Sequence, residues 1–224
     1  MKLKSFVSIV IPTLDEEGNL DKLLKTIRYE LNDYNYEIII VDGYSKDKTV
    51  KIAKKYKVKI LYDNAGKGSA LIKGFGNSKG NIIVSMDADL SHRPEELKLL
   101  INTIKSGYDI CMGSRFLNNG GSEDISMIRR IGNKFFVKLI NFIYKSNYTD
   151  ICYGYRSFSR NALKKLSLNE KGFGIETEIS IMAKKNNLKI LEIPSFEKKR
   201  YNGSGKLRTL QDGYVILKTI LKNI

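Results

Sequence analysis

Apolar residues along this chain fall into two alternating patterns. Val7–Ile11, Glu37–Val41, Val58–Leu61, Ile82–Val84 and Asp109–Gly113 are short β-branched runs, which read as strands buried on both faces. Between them lie stretches with apolar residues at helical spacing: Glu16–Leu31, Asp47–Tyr56, Lys67–Ser78 and Pro94–Ser106. In the first of these Leu20, Leu23, Leu24, Ile27 and Leu31 share one face, and Ser45 is the expected N-cap of the second. Strand and helix alternating over short connections predict an α/β fold, with a mostly parallel, Rossmann-like sheet sandwiched by helices. After Gly113 the pattern loosens into a Gly/Asn-rich loop, Leu117–Asp124, and a basic, aromatic helix, Ser126–Tyr144. An extended stretch Asp150–Ser159, a helix Phe173–Lys185 and a strand Leu188–Ile193 follow. The chain closes with an amphipathic helix through Tyr214, Leu217, Ile220 and Leu221. No repeat, low-complexity tract or linker divides it, so residues 1–224 are expected to form a single domain.

In open α/β sheets ligands bind beyond the carboxyl ends of the strands. Asp15, Asp42, Asp87 and Asp89 all fall there. Asp87 and Asp89 are separated by one residue, and in an extended segment such a pair points to one side. Two readings fit that spacing: a site for a hard divalent cation, or a pair of solvated turn aspartates. Lys67, between Gly66 and Gly68 at a helix start, suits a phosphate or is a solvated lysine in a flexible turn. His92, the only histidine, reads as shaping the turn after Asp89 rather than moving protons.

Charge narrows the partners. The 224 residues include 39 basic and 24 acidic side chains, a net of +15, which favours anionic partners. A basic nucleic-acid module would interleave aromatic and basic residues on one face; here acids converge at strand ends. A nucleotidyltransferase would carry a Gly-rich basic signature after its first strand, where this chain has Asp15-Glu16-Glu17. Two cysteines far apart indicate neither a disulfide framework nor a zinc site. The opening MKLKSFVSIVIPT is too short an apolar run for a signal peptide and is broken by Pro12, and no run approaches a membrane span. A cytoplasmic protein is expected, and any membrane contact should be peripheral. Lys134–Lys145 mixes a broad apolar surface with lysines, as in a helix lying in a bilayer interface or a core-packing helix with lysines at its rim.

Five motifs, taken together, resemble the family 2 inverting glycosyltransferases, in particular the branch of dolichyl-phosphate mannose and glucose synthases. They are Ile11-Pro12-Thr13-Leu14-Asp15-Glu16, Asp42-Gly43-Tyr44-Ser45, Asp87-Ala88-Asp89 with His92, Pro94 and Glu95, Gly113-Ser114-Arg115-Phe116, and Asp150 to Arg156. Three positions depart from the family pattern: Asp15 where Asn is usual, Gly43 in place of a second acid, and Ser91 in place of Gln.

The resemblance implies a GT-A fold, with a nucleotide-sugar half at about 1–115 and an acceptor half at about 116–224. It implies transfer of a hexose, with inversion, from a UDP-glucose or GDP-mannose type donor to a polyprenyl (dolichyl-type) phosphate. The alternative acceptor is a hydroxyl of a glycan, glycolipid or small molecule. Asp87 and Asp89 would hold Mg²⁺ or Mn²⁺, and Pro12, Asp15, Glu16, Asp42, Lys67, Asp87, Ala88 and Asp89 the nucleotide sugar. Asp89, Arg115, Glu178 and Arg200 would be catalytic, with Glu178 preferred to Glu176 as the acidic position. Arg115, Arg129, Arg200, Ser204 and Lys206 would bind the acceptor phosphate. Since residues i and i+2 of a helix point apart, Glu176 and Glu178 are not expected to face one site.

Overall fold

The computed structural model describes residues 6–203 and 209–224. Six parallel strands, β1 (Phe6–Thr13), β2 (Asn35–Asp42), β3 (Lys59–Tyr62), β4 (Ile82–Ser85), β5 (Ile110–Ser114) and β8 (Ile190–Pro194), share one sheet with a seventh. That strand, β7 (Arg156–Ser159), runs antiparallel between β4 and β5, giving the order β3-β2-β1-β4-β7-β5-β8. Two-residue strands β6 (Gly121–Ser122) and β9 (Phe196–Glu197) pair separately.

Both sheet faces are covered, as the continuous apolar strands require. Val7, Ile9 and Ile11 of β1 face one core with Ile38 and Ile40, against helices α1 (Leu20–Glu30) and α4 (Leu97–Lys105). Val10, Ile39, Val41 and Ile83 face the other, against α3 (Lys67–Gly76), α5 (Met127–Tyr144), α7 (Ile175–Lys185) and α8 (Thr209–Lys222). Leu20, Leu23, Leu24 and Ile27 of α1 are completely buried. Each such side chain contributes about 1.5–3 kcal/mol, more than the roughly 1 kcal/mol of a side-chain cap, so α1 forms although Asn19 supplies no capping bond.

Several boundaries differ from the sequence expectation. Residues 17–19 form a turn whose Asn19 and Leu20 N–H groups bond the Glu16 carbonyl, so α1 starts at Leu20. Ser45 is not an N-cap: its hydroxyl bonds Asp42, and α2 (Thr49–Lys55) begins four residues later. Asp47 receives the Thr49 N–H instead. Pro94–Glu96 is a single 3-10 turn ahead of α4. Within Asp150–Ser159 only the last four residues are strand, and a short helix α6 (Arg160–Lys165) follows them.

Candidate active site

The carboxyl ends of β1, β2 and β4 open into a cavity of about 710 Å³, walled by the start of α3, the 152–154 loop, α5, α7 and α8. β4 stops at Ser85, and the chain bends through Ala88, Asp89 and Leu90, with Leu90 in the left-handed region at φ 65°. The Asp87-Ala88-Asp89 segment is therefore a loop, and the extended geometry expected for it does not occur. Asp87, Ala88 and Asp89 nonetheless line the same cavity, with Pro12, Glu16 and Lys67. His92 holds the loop in shape. Its Nδ1 accepts the Asp87 N–H at 3.0 Å, and its buried ring stacks on Tyr155 at 4.8 Å between centroids.

Each aspartate meets a cation. Lys67 Nζ lies 2.8 Å from Asp87 Oδ1 and 2.9 Å from Glu176 Oε1. Arg200 Nη2 lies 2.7 Å from Asp89 Oδ2, and its Nη1 3.4 Å from Glu16 Oε1. Burial pushes the Asp87 carboxyl upward, but Lys67, with smaller contributions from His92 and Arg200, outweighs it and holds the carboxyl at about 2. Burial likewise pushes the Lys67 ammonium down, and Asp87 and Glu176 reverse the sign and carry it above the usual lysine range.

The turn that carries Lys67 is not flexible. A side chain at Gly68 would put its Cβ 2.2 Å from the Glu170 carbonyl oxygen, and Gly66 sits at φ 122° against Lys171. Ser69 N–H bonds the Lys171 carbonyl at 3.1 Å. The Arg200 loop is anchored to the aspartate loop by Lys198 N–H to Ser91 O at 2.9 Å and Tyr201 N–H to Asp89 O at 3.2 Å.

Of the expected site residues, three are placed away from the cavity and a fourth, Arg115, is held within its wall. Asp15 is exposed, and its Oδ1 accepts the Lys46 N–H, joining the β1 and β2 loops. Asp42 is fully buried and accepts bonds from Thr13 Oγ1, Ser45 N–H and Ser45 Oγ, so it organises strand ends and does not line the cavity. Glu178 is buried on the far side of α7, where its Oε2 accepts the N–H groups of Asn169 and Glu170. It is Glu176, one helical step away, that faces the cavity. Arg115 lines the cavity, but its guanidinium is held by Asp150 at 2.7 Å and Glu197 at 3.1 Å, which reverse the effect of burial and raise its pKa. All three nitrogens of this guanidinium already donate to Asp150 or Glu197 and the side chain is nearly buried, which leaves it little capacity for a phosphate. Arg129 does reach the cavity, its Nε donating to Thr209 Oγ1 at 3.3 Å. Ser204 and Lys206 lie outside the described residues.

Other lining residues went unrecognised in the sequence. Asp63 follows β3, and the strand-end rule that picks out Asp87 applies equally to it. Arg156 ends the fifth motif, but the sequence gives it no role, and it lies behind the cavity rather than lining it. Its guanidinium, buried to 1% exposure, donates to the carbonyls of Ile151, Tyr153 and Glu176 and ties the cavity floor to α7.

The α5 and α8 walls of the cavity carry most of its large apolar side chains beside Arg129, Asn133, Thr209 and Asp212. The apolar ones include Ile128, Phe135 and Phe136 of α5 and Leu210, Tyr214 and Leu217 of α8. Ile128, Ile131, Phe135 and Phe142 also form an outward face of α5, each 56–85% exposed, continuous with exposed Leu210, Tyr214 and Leu221 of α8. Lys134, Lys138 and Lys145 border that face. α5 is therefore not simply a core-packing helix: Val137 and Ile140 pack inward while its apolar outer face meets solvent. No helix among the described residues is long and apolar enough to cross a membrane.

The chain is 36% identical over 210 residues to the dolichol-phosphate mannosyltransferase of Pyrococcus furiosus, covering 90% of this chain and 59% of that protein. It thus spans somewhat over half the length of that relative. It is 29% identical to the polyprenol monophosphomannose synthase of Mycolicibacterium smegmatis, over 89% of this chain and 80% of that one. The glucosyl-3-phosphoglycerate synthase of Mycobacterium tuberculosis, solved with Mn²⁺, UDP and glucosyl-3-phosphoglycerate, superposes with a TM-score of 0.76. The identity there is 19%, over 98% of this chain and 80% of that one, so the likeness is one of fold. The fold is the GT-A type. The Glycosyl transferase family 2 profile matches residues 8–167, and the chain belongs to that family.

Proposed function

We propose that this glycosyltransferase moves a hexose, with inversion, from a nucleoside-diphosphate sugar to a polyprenyl phosphate at a membrane surface. The observation that carries the reading is the mixed lining of the cavity. Carboxylates and cations line it at the strand ends, and large apolar side chains line it on α5 and α8, helices that also carry an exposed apolar face. A water-soluble acceptor has no use for such an apolar lining; a polyprenyl chain has.

The donor end fits a divalent cation. Asp87 and Asp89 are hard oxygen donors in one cavity, and Gly154 lets the backbone approach the Asp87, Lys67 and Glu176 side chains closely. A Cβ there would lie 3.1 Å from Lys67 Nζ and 3.7 Å from Asp87 Oδ1. Mg²⁺ or Mn²⁺ held by Asp87 and Asp89 would neutralise the diphosphate and make it a better leaving group. Lys67, at the N-terminus of α3, and Arg200 line the same cavity and would bind phosphate oxygens. Glu16 and Asp63 border the space for the nucleoside. Arg129, which lines the same cavity beside Ile128 and Thr209, would bind the acceptor phosphate. That phosphate oxygen is ionised at neutral pH, so the transfer needs no general base.

The exposed face of α5 and α8, with its lysine border, suits the anionic inner surface of the cell membrane. Glu176 at the cavity wall favours a second reading, a hydroxyl acceptor with Glu176 as base. Lys67 at 2.9 Å weighs against it, because it holds that carboxylate in an ion pair.

The test is donor turnover across UDP- and GDP-sugars with Mg²⁺, Mn²⁺ or EDTA, with and without a short-chain polyprenyl phosphate, beside D89A. Metal-dependent transfer that requires the lipid phosphate and is lost in D89A is the expected result. Turnover indifferent to the lipid phosphate would move the acceptor to a hydroxyl, and no turnover of any donor would overturn the reading.

A further inference from the structure

Both aspartates of the Asp87-Ala88-Asp89 loop are paired with protein cations. Lys67 spans both oxygens of Asp87, at 2.8 and 3.1 Å, and Arg200 takes Asp89 Oδ2 at 2.7 Å while Ser91 N–H takes Oδ1 at 2.9 Å. Each cation also has a second carboxylate that does not belong to the loop. For Lys67 it is Glu176 at 2.9 Å, and for Arg200 it is Glu16 at 3.4 Å. The four acids and two cations thus form two matching sets, each with one cation between a loop aspartate and an outer glutamate.

We propose that Lys67 and Arg200 are internal stand-ins for the divalent cation. Glu176 and Glu16 retain them when the metal takes the aspartates, so that metal and nucleoside diphosphate are taken up together. The inference rests on the donor reading above and adds a coupling that this reading does not contain. A metal arriving alone must break two charge-assisted pairs and lie beside two positive groups. A diphosphate arriving with it offers those same groups anionic oxygens, so the pairs are exchanged rather than lost. Conversely, phosphate oxygens that draw Lys67 and Arg200 away expose carboxylate oxygens to the metal. Among the described residues no set of three or more His, Cys, Asp or Glu side chains is arranged to chelate a metal. With two carboxylates from the loop, the remaining ligands fall to water and diphosphate oxygens. Linkage requires the coupling to be reciprocal: the metal raises affinity for the diphosphate by the same factor as the diphosphate raises affinity for the metal.

The experiment is Mn²⁺ binding, read by electron paramagnetic resonance of the free ion, alone and with saturating UDP or GDP. It uses the intact chain, wild type, K67Q and R200Q. The wild type is expected to bind Mn²⁺ at least about tenfold tighter with the effective diphosphate, within the range usual for site-to-site coupling. Each variant is expected to bind Mn²⁺ alone at least about threefold tighter than wild type and to show a smaller diphosphate factor. A general change in field would shift affinity equally in both conditions and leave that factor unchanged, so the ratio separates competition from electrostatics. R200Q removes a cation from a surface loop, and its fold is checked by its unfolding midpoint should K67Q fail to fold. An unchanged diphosphate factor in both variants would overturn the inference while leaving the donor reading standing. Equal Mn²⁺ affinity with and without diphosphate in the wild type would overturn both, because a metal that meets the diphosphate must bind more tightly in its presence. Absence of Mn²⁺ uptake even with UDP and GDP present would overturn both.

Discussion

Glu176 and Glu178, two residues apart on α7, send their carboxylates to opposite tasks: Glu176 to Lys67 inside the cavity, Glu178 to the backbone N–H groups of Asn169 and Glu170. The separation follows from helical geometry, which points i and i+2 away from each other. Substitutions should divide accordingly. E176Q is expected to keep the fold and lower kcat/KM by at least about tenfold, since it loosens Lys67 from its seat. E178A leaves two buried N–H groups without an acceptor and is expected to cost about 1–3 kcal/mol of stability. Urea unfolding of both variants beside their steady-state kinetics checks this; a stable E178A with impaired kinetics would reverse the assignment.

Arg115 should behave as a structural residue. Its guanidinium joins Asp150 and Glu197, and so fixes the start of the 150s loop against β9. Removing one member of a buried ion network costs about 3–5 kcal/mol, so R115M is expected to lower the urea midpoint strongly. R129Q, whose parent side chain is only half-buried beside Thr209, is expected to leave the midpoint near wild type and raise KM for the polyprenyl phosphate. An unfolding midpoint for R115M equal to that of R129Q would contradict this division.

The outer face of α5 offers a separate handle. Ile131 and Phe142 are 61% and 85% exposed, and Ile131 does not line the cavity. Burying such a side chain in a lipid interface contributes up to about 1.5–3 kcal/mol, so I131D/F142D is expected to weaken binding to phosphatidylglycerol-containing vesicles by at least about tenfold. Turnover of a short, detergent-soluble acceptor should be retained. Sedimentation with vesicles at two salt concentrations reads both the apolar and the lysine contributions. Failure of the wild type to sediment at either concentration would remove the membrane surface from the proposal.

The two thiols give a pH prediction. Burial pushes Cys111 and Cys152 up to about 12, from the ordinary value of 9.0. Both should therefore resist alkylation at pH 8 in the native protein and react in the unfolded chain. Above pH 9 the unfolded chain releases these protons while the native protein keeps them, so the unfolded state binds fewer protons. Stability is then fully present below pH 9 and falls as pH rises towards 12. Denaturant midpoints across that range test the sign, and a C111S/C152S variant should flatten the decline.

Much of this protein was legible in its sequence, because the signals involved are local. Continuous β-branched runs and period-3.6 apolar spacing set the strands and helices, and ligands in such sheets gather at strand carboxyl ends, which pointed to Asp15, Asp42, Asp87 and Asp89. What sequence did not determine depends on groups distant along the chain meeting in space. Arg200 reaches Asp89 across 111 residues because the loop after β9 packs on the aspartate loop, and Arg115 is neutralised by Asp150 and Glu197 only once β5, β9 and the 150s loop converge. Asp15 and Asp42 sit at the expected strand ends, yet backbone hydrogen bonding in the adjoining turns claims their carboxylates first. Whether α5 is a core helix or a surface one was likewise undecided by its composition. Only tertiary packing, by burying Val137 and Ile140 and leaving Phe142 in solvent, selected which face looks outward.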